Sequence, residues 1–225
     1  MLTIVVPAFN AEKSLANLLG RLAPSIDVSA AEVLVVDGGS TDETRRIAIE
    51  GGAVCLTAER GRGQQLAAGA AAAGGDWLLF VHADTRLPAK WKPVVAQFIG
   101  ESANRRRAGY FRFALDDSAT PARWIERAVL WRNRILGLPY GDQGLLISRA
   151  FYRELGGYKP LPLMEDVDFV RRIGRRRLVM LDGVAVTSAD RYRREGYLSR
   201  VLRNFVCLSL YAAGVPARVI AGIYR

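Results

Sequence analysis

The stretch Trp77-Leu78-Leu79-Phe80-Val81-His82-Ala83-Asp84-Thr85 constrains this chain more than any other. An apolar run ends abruptly on a histidine, a small residue and a carboxylate. Bounded by Gly74-Gly75-Asp76 and by Arg86-Leu87-Pro88, it reads as a strand covered on both faces, the pattern of a parallel sheet. Ligands of open α/β sheets sit at the carboxyl ends of the strands. The pattern therefore puts Asp84 in a ligand crevice, with His82 on the same side of the strand and Ala83 pointing away. A carboxylate held there suits a metal-bound phosphate.

Three upstream units repeat the device. A strand over 2–6 stops at Pro7, and an amphipathic helix over 14–22 follows the loop Pro7-Ala8-Phe9-Asn10-Ala11-Glu12, with Asn10 placed to cap it. A second strand over 32–36 delivers Asp37, a carboxylate suited to a nucleobase imide or a ribose hydroxyl. Gly38 and Gly39 then permit a tight turn, and Ser40 or Thr41 can cap a helix over 45–49. A third strand over 53–57 leads through Arg60-Gly61-Arg62-Gly63-Gln64-Gln65 into an alanine-rich helix over 66–73, an arrangement suited to an anion. Four strand and helix units in succession predict an α/β fold with a central, mostly parallel sheet flanked by helices. The dinucleotide fingerprint is incomplete and no Walker loop is present, which argues against a dehydrogenase.

The second half predicts a helix over 91–99, a strand over 108–115 and a helix over 124–136, whose Trp124 and Trp131 read as core. Gly141-Asp142-Gln143-Gly144 precedes a strand and brings Asp142 and Gln143 to the site from the other half of the sheet. In Leu163-Met164-Glu165-Asp166-Val167-Asp168 the acids complement a helix start, which explains Glu165 without catalysis. Asp166, among apolar neighbours, is a credible general base. The domain core is expected over 1–195, with a helical extension over 196–225 that breaks at Gly214-Val215-Pro216 and is too interrupted to span a bilayer. That extension packs on the core or lies at a membrane surface through Arg200, Leu202 and Arg203.

With 225 residues, half of them hydrophobic, the chain can bury one full core. Its net charge of +10 attracts phosphates, nucleic acid and anionic lipid. The arginine clusters lack the interleaved aromatic platform of a single-strand binder, so no nucleic-acid partner is expected. Cys55 and Cys207 suggest neither a disulfide scaffold nor a thiolate zinc site. With no leader pattern before the first strand, a cytoplasmic location is expected, with the inner face of the cell membrane as the alternative.

Taken in order, Val6-Pro7-Ala8-Phe9-Asn10-Ala11-Glu12, Val36-Asp37-Gly38-Gly39-Ser40-Thr41-Asp42, His82-Ala83-Asp84 and Glu165-Asp166-Val167-Asp168 resemble the family 2 glycosyltransferases of the Rossmann-like GT-A fold. Gly141-Asp142-Gln143-Gly144, Arg191-Tyr192-Arg193-Arg194 and the Gly-x-Pro tail are similar to the short bacterial branch labelled arsenosugar biosynthesis glycosyltransferases. The resemblance implies a nucleotide pocket formed by Pro7, Ala8, Asn10, Glu12, Asp37 and Gly39. It adds Arg62, Gln64, His82 and Ala83 to that pocket. Asp84 matches the last acid of the family's Asp-x-Asp motif, which implies Mg²⁺ or Mn²⁺ on the diphosphate; the first acid is replaced here by His82. Asp166 takes the place of the acceptor's general base, beside Glu165. Arg191, Arg193 and Arg194 fall near the diphosphate, without the tryptophan common there, and Asp142 and Gln143 fall on the acceptor side. The implied reaction is inverting transfer of a sugar from a nucleotide-diphosphate sugar to an acceptor hydroxyl. Its rivals are a sugar-nucleotide nucleotidyltransferase, which would carry a glycine- and arginine-rich loop after the first strand, and a non-catalytic basic module that binds nucleotide or membrane.

Overall fold

A computed structural model describes residues 1–22 and 31–224. The last residue of the expected tail, Arg225, lies outside the described residues. The first half runs β1 (Leu2–Ala8), α1 (Glu12–Leu22), β2 (Ala31–Asp37), α2 (Thr44–Glu50), β3 (Val54–Thr57), α3 (Arg62–Ala72) and β4 (Trp77–Phe80). After β5 (Thr85–Arg86) come α4 (Trp91–Gly100), β6 (Ala108–Leu115), α5 (Thr120–Leu136), β7 (Leu145–Ser148), α6 (Arg149–Glu154) and α7 (Glu165–Ile173). The chain finishes with β8 (Leu178–Thr187), α8 (Asp190–Glu195), α9 (Tyr197–Ala212) and α10 (Ala217–Tyr224).

The strands form one sheet in the order β3-β2-β1-β4-β7-β6-β8-β5. β1 lies parallel to β2 and β4, and β2 parallel to β3. β7 enters between β4 and β6, antiparallel to both, so the expected mostly parallel sheet is mixed. Alternation in the central strands serves two cores. Ile4, Val6, Val33 and Val35 face Leu15, Leu18 and Leu19 of α1 and Trp91 and Phe98 of α4. Val5, Leu34 and Val36 face Leu66 and Ala70 of α3, with Phe151, Tyr152 and Phe169 beyond. The tail joins the fold through a third cluster, in which Cys207 and Ile220 pack with Leu163, Met164, Val167 and Val170.

Several local expectations change. β4 stops at Phe80, and the Thr85 N–H donates to the His82 carbonyl at 3.0 Å, so His82 and Asp84 sit on a turn beyond the strand. α3 begins at Arg62, four residues before the expected start, so the presumed anion loop is its first turn. Asn10 does not cap α1. It adopts φ +47° and accepts from the Thr41 N–H at 3.0 Å, while its own N–H donates to Ser40 Oγ at 2.9 Å. Asp42 serves both helix starts, accepting from the N–H groups of Glu12 and Thr44, and neither Ser40 nor Thr41 caps α2. The loops after β1 and β2 are thereby stapled together. Trp124 and Trp131 are exposed, because the core side of α5 is taken by Ala122, Ile125 and Asn133.

The close seat of α3 on the sheet depends on Gly69. A Cβ there would fall 2.4 Å from Val5 Cγ1 and 2.9 Å from Val36 Cγ2. Gly69→Ala is expected to cost about 2 kcal/mol in urea unfolding, overpacking outweighing the gain in helix propensity. Gly20→Ala in α1, where a Cβ meets nothing within 4 Å, is expected to stabilise by about 0.5 kcal/mol.

Candidate active site

A cavity of about 140 Å³ collects residues from motifs far apart in sequence. Arg62 enters from the first turn of α3, His82 and Asp84 from the turn after β4, Asp142 from the 3-10 turn Gly141–Gln143, Asp166 from the first turn of α7, and Arg191 from α8. Val129 and Arg132 of α5, Arg200 and Asn204 of α9, and Tyr224 of α10 close the far side.

Gly141 is where three motifs meet. A Cβ at this position would lie 2.5 Å from His82 Nε2, so only glycine lets the imidazole lie against the backbone. The Gly141 N–H donates to Asp166 Oδ2 at 3.1 Å, and Asp166 Oδ1 accepts from the Val167 N–H at 2.8 Å. Met164, immediately before α7, adopts φ +65°, a left-handed conformation costly for a side chain of this size. From that turn α7 starts with Glu165 buried and Asp166 on the cavity lining.

Glu165 is 1% exposed, and its Oε1 lies 2.8 Å from Nε of Arg62, whose side chain remains 40% open. The pair is ionic contact without aligned hydrogen-bond geometry, and Oε2 has no hydrogen-bond partner. Burial raises the Glu165 pKa against the opposing pull of Arg62, while Glu165 raises that of Arg62 and keeps it cationic. Glu165 thus anchors Arg62, a role its helix position alone did not reveal. Burial, aided by the Arg62 charge, lowers His82 to about 4, so the imidazole is neutral near pH 7. Burial raises Asp142 to about 6, with Asp166 and Asp84 adding to the effect and Arg132 and Arg62 opposing it. Asp142 Oδ1 is buried without a partner.

The other expected residues fall elsewhere. Asp37 is fully buried, and its carboxylate accepts from the N–H groups of Gly39 and Ser40 and from Ser40 Oγ at 2.5 Å. It builds the turn that exposes Gly39 at φ +87°. Pro7, Ala8, Asn10 and Glu12 lie beside that turn, at the end of β1 and in the stapled loop. Ala83 is buried and does not line the cavity. Gln64 donates to Glu59, away from the lining. Gln143 is wholly buried; its amide donates to the Phe111 carbonyl, accepts from the Tyr140 N–H and contacts the Asn133 amide, so it braces the wall and does not line the cavity. Arg193 pairs with Asp117 and Asp190, and Arg194 is exposed outside the lining, leaving Arg191 as the member of that segment at the cavity.

Sequence reasoning missed three features. Gln65 Nε2 donates to the carbonyls of Ala8 and Val36, both at 2.7 Å, tying together the ends of β1 and β2. Arg132 stacks over the Tyr140 ring at 3.4 Å from its centroid. Arg200, expected to pack on the core or reach a membrane surface, turns inward to Glu195 and donates to the Tyr224 hydroxyl. Arg203 also pairs with Glu195. The signal for these two was slight: Glu195 lies five and eight residues before Arg200 and Arg203, across the Gly196 break between α8 and α9.

No three His, Cys, Asp or Glu side chains among the described residues form a group able to hold a metal ion. The donors facing the cavity are the carboxylates of Asp84, Asp142 and Asp166 and the neutral His82 imidazole. Such a set fits an ion that takes most of its ligands from a diphosphate and water, the usual manner of Mg²⁺ with phosphates.

The sheet order and this carboxyl-edge site define an α/β fold of the nucleotide-sugar transferase type. The model for Glycosyl transferase family 2 matches residues 3–132, more than half of the chain, and the protein belongs to that family. Glucosyl-3-phosphoglycerate synthase of Mycobacterium tuberculosis is 32% identical over 92 residues, covering 37% of this chain and 28% of that protein. Undecaprenyl-phosphate 4-deoxy-4-formamido-L-arabinose transferase of Aeromonas hydrophila is 26% identical over 172 residues, covering 69% of this chain and 50% of that protein. This chain thus spans half or less of the length of these relatives. Among solved structures, the M. tuberculosis synthase in complex with Mn²⁺, UDP and glucosyl-3-phosphoglycerate superposes with a TM-score of 0.62 at 21% identity, over 96% of this chain and 81% of that one. S. aureus TarS 1-349 in complex with UDP-GlcNAc gives 0.59 at 18% identity, over 82% and 55%. These likenesses establish the GT-A fold.

Arg62→Met is expected to leave Glu165 without its counter-charge and to cost on the order of 2 kcal/mol near pH 7, discounted because Arg62 is partly solvated. The lone acid's folded pKa then rises further above its unfolded value. The deficit is therefore absent below the unfolded pKa and grows as pH rises through the folded one. Urea unfolding of wild type and variant at several pH values checks this, and Arg62→Met with Glu165→Gln should recover most of the loss.

Proposed function

We propose that this protein moves a sugar from a uridine-diphosphate sugar to an acceptor hydroxyl, with inversion at the anomeric carbon. The observation that carries the reading is the convergence of Arg62, Asp84, Asp166 and Arg191, from four separate segments, on one cavity. The neighbours solved with UDP and with UDP-GlcNAc support uridine as the base.

Breaking the anomeric C–O bond passes through an oxocarbenium-like state while negative charge grows on the departing diphosphate. Arg62, held in place by Glu165, and Arg191 face that charge. Asp84 would hold Mg²⁺ or Mn²⁺ on the diphosphate, a reading supported by the Mn²⁺ of the solved neighbour; a bound divalent ion supplies Lewis-acid stabilisation of the leaving group. Asp166 takes the acceptor's proton as the hydroxyl attacks from the face opposite the leaving group. The Gly141 N–H fixes one of its oxygens, which holds the carboxylate in orientation. A single base without a separate nucleophile corresponds to inversion. The nucleoside lies against the stapled loops, where Asp37, Gly39, Asn10 and Glu12 gather with Pro7 and Ala8.

One observation favours a second assignment of the base. Asp142 has a buried oxygen with no partner and a pKa raised to about 6, closer to working pH than an ordinary carboxylate. In the first reading Asp142 receives the acceptor hydroxyl and Asp166 removes its proton.

UDP release from UDP-glucose and UDP-GlcNAc, with calorimetry of UDP binding, tests the proposal. Asp166→Asn is expected to lower turnover by about 100-fold or more while UDP affinity changes by less than about threefold. Asp84→Ala should weaken UDP binding in Mn²⁺ and leave binding in chelator unchanged. Normal turnover by Asp166→Asn with loss in Asp142→Asn moves the base to Asp142. Pyrophosphate as the product refutes glycosyl transfer.

A further inference from the structure

Three neighbouring helices wall the cavity with one face and leave the other face apolar and bare. α9 packs beside α5 and α10. The residues that α9 sends to the cavity, Arg200 and Asn204, lie opposite a stripe of Leu198, Val201, Leu202, Phe205 and Val206, at i, i+3, i+4, i+7 and i+8. Leu198 is 80% exposed, Leu202 59% and Phe205 64%. The outer face of α5 repeats the pattern with Trp124 at 65%, Trp131 at 61% and Ile135 at 48%. α10 adds Val219 and Ile223, both half exposed. Single exposed apolar side chains are ordinary, but stripes on adjoining helices mark a surface that is covered in use.

Charge identifies what covers it. Glu126 is the one acid in the sequences of α5, α9 and α10, and it points inward to accept from the Leu115 N–H at 2.8 Å. The exposed charges on these helices are arginines, with Arg127 and Arg134 on α5 and Arg218 on α10. Tryptophans and arginines around an aliphatic stripe match the boundary between lipid headgroups and acyl chains. A second copy of the chain would bring arginine against arginine across the same face. No helix among the described residues is long and apolar enough to cross a membrane. Arg200 and Arg203 take no part, since both turn to Glu195.

We propose that the outer face of α5, α9 and α10 docks on an anionic lipid bilayer. Docking there holds the cavity, which the inner faces of the same helices enclose, at the level of the headgroups.

Flotation of the full chain with vesicles of phosphatidylcholine, alone or with about 30% phosphatidylglycerol, tests this, together with tryptophan emission. Binding is expected on the anionic vesicles, weakening with salt, and absent from phosphatidylcholine alone. Trp77 and Trp91 are buried at 7% and 4%, so a blue shift on binding reports Trp124 and Trp131 and should disappear in the conservative variant Trp124→Phe with Trp131→Phe. Leu202→Ser with Phe205→Ser should lower partitioning by about tenfold or more, with circular dichroism unchanged. Failure to bind anionic vesicles at low salt overturns the proposal. So does binding that survives Leu202→Ser with Phe205→Ser unaltered, or a lipid-free dimer in sedimentation velocity that itself produces the blue shift.

Discussion

The contact between Arg62 and Glu165 joins the two halves of the ligand edge. Arg62 opens α3, which rests on the parallel strands, and Glu165 opens α7, which belongs to the half built around the antiparallel β7. Backbone packing enforces the approach. A Cβ on Gly63 would fall 2.3 Å from the Lys159 carbonyl oxygen, so the first turn of α3 lies directly against the segment leading into α7. The buried Glu165 carboxylate has Arg62 as its counter-charge, and the cation so fixed also lines the cavity. The same turn of α7 carries Asp166, so one ion pair sets the separation between Arg62 and Asp166, the two groups proposed to face the diphosphate and the acceptor.

Much of this was legible in the sequence because it rests on short-range codes. The strands Leu2–Ala8 and Ala31–Asp37, with the carboxylate that ends the second, follow from apolar patterning and strand-end chemistry, and so does the cavity position of Asp84, while that of Asp166 follows from an acid set among apolar neighbours at a helix start. The mixed sheet was not legible, because β7 pairs with β4 only after a long excursion and nothing local states its direction. Glu165 and Asp166 illustrate the limit within a site. Adjacent in sequence and both acidic, they follow one another on the first turn of α7, where successive side chains point about 100° apart, so one is buried and the other lines the cavity. Trp124 and Trp131 mislead for a different reason. Helical spacing reports that α5 has an apolar face and cannot report whether that face meets protein or solvent.

His82 stands where the resembled pattern carries its first acid, and its surroundings explain how a histidine is accommodated there. Burial and Arg62 keep the imidazole neutral, and Gly141 seats it against the backbone next to the Asp166 contact. The position therefore adds no second negative charge beside Asp84 and offers a neutral nitrogen donor. Asp142, whose pKa burial has raised, shares the cavity for the same electrostatic reason, since three full carboxylate charges there would repel one another.

The proposed transfer requires this cavity to accept a nucleoside diphosphate through Arg62, Asp84 and Arg191. Thermal-shift measurement of the wild-type chain with UDP, GDP, CDP and dTDP, each in Mn²⁺, Mg²⁺ or chelator, tests it most directly. Concentration-dependent stabilisation by UDP is expected in the presence of a divalent ion, largely lost in chelator. The absence of stabilisation by all four nucleotides under every metal condition would contradict it.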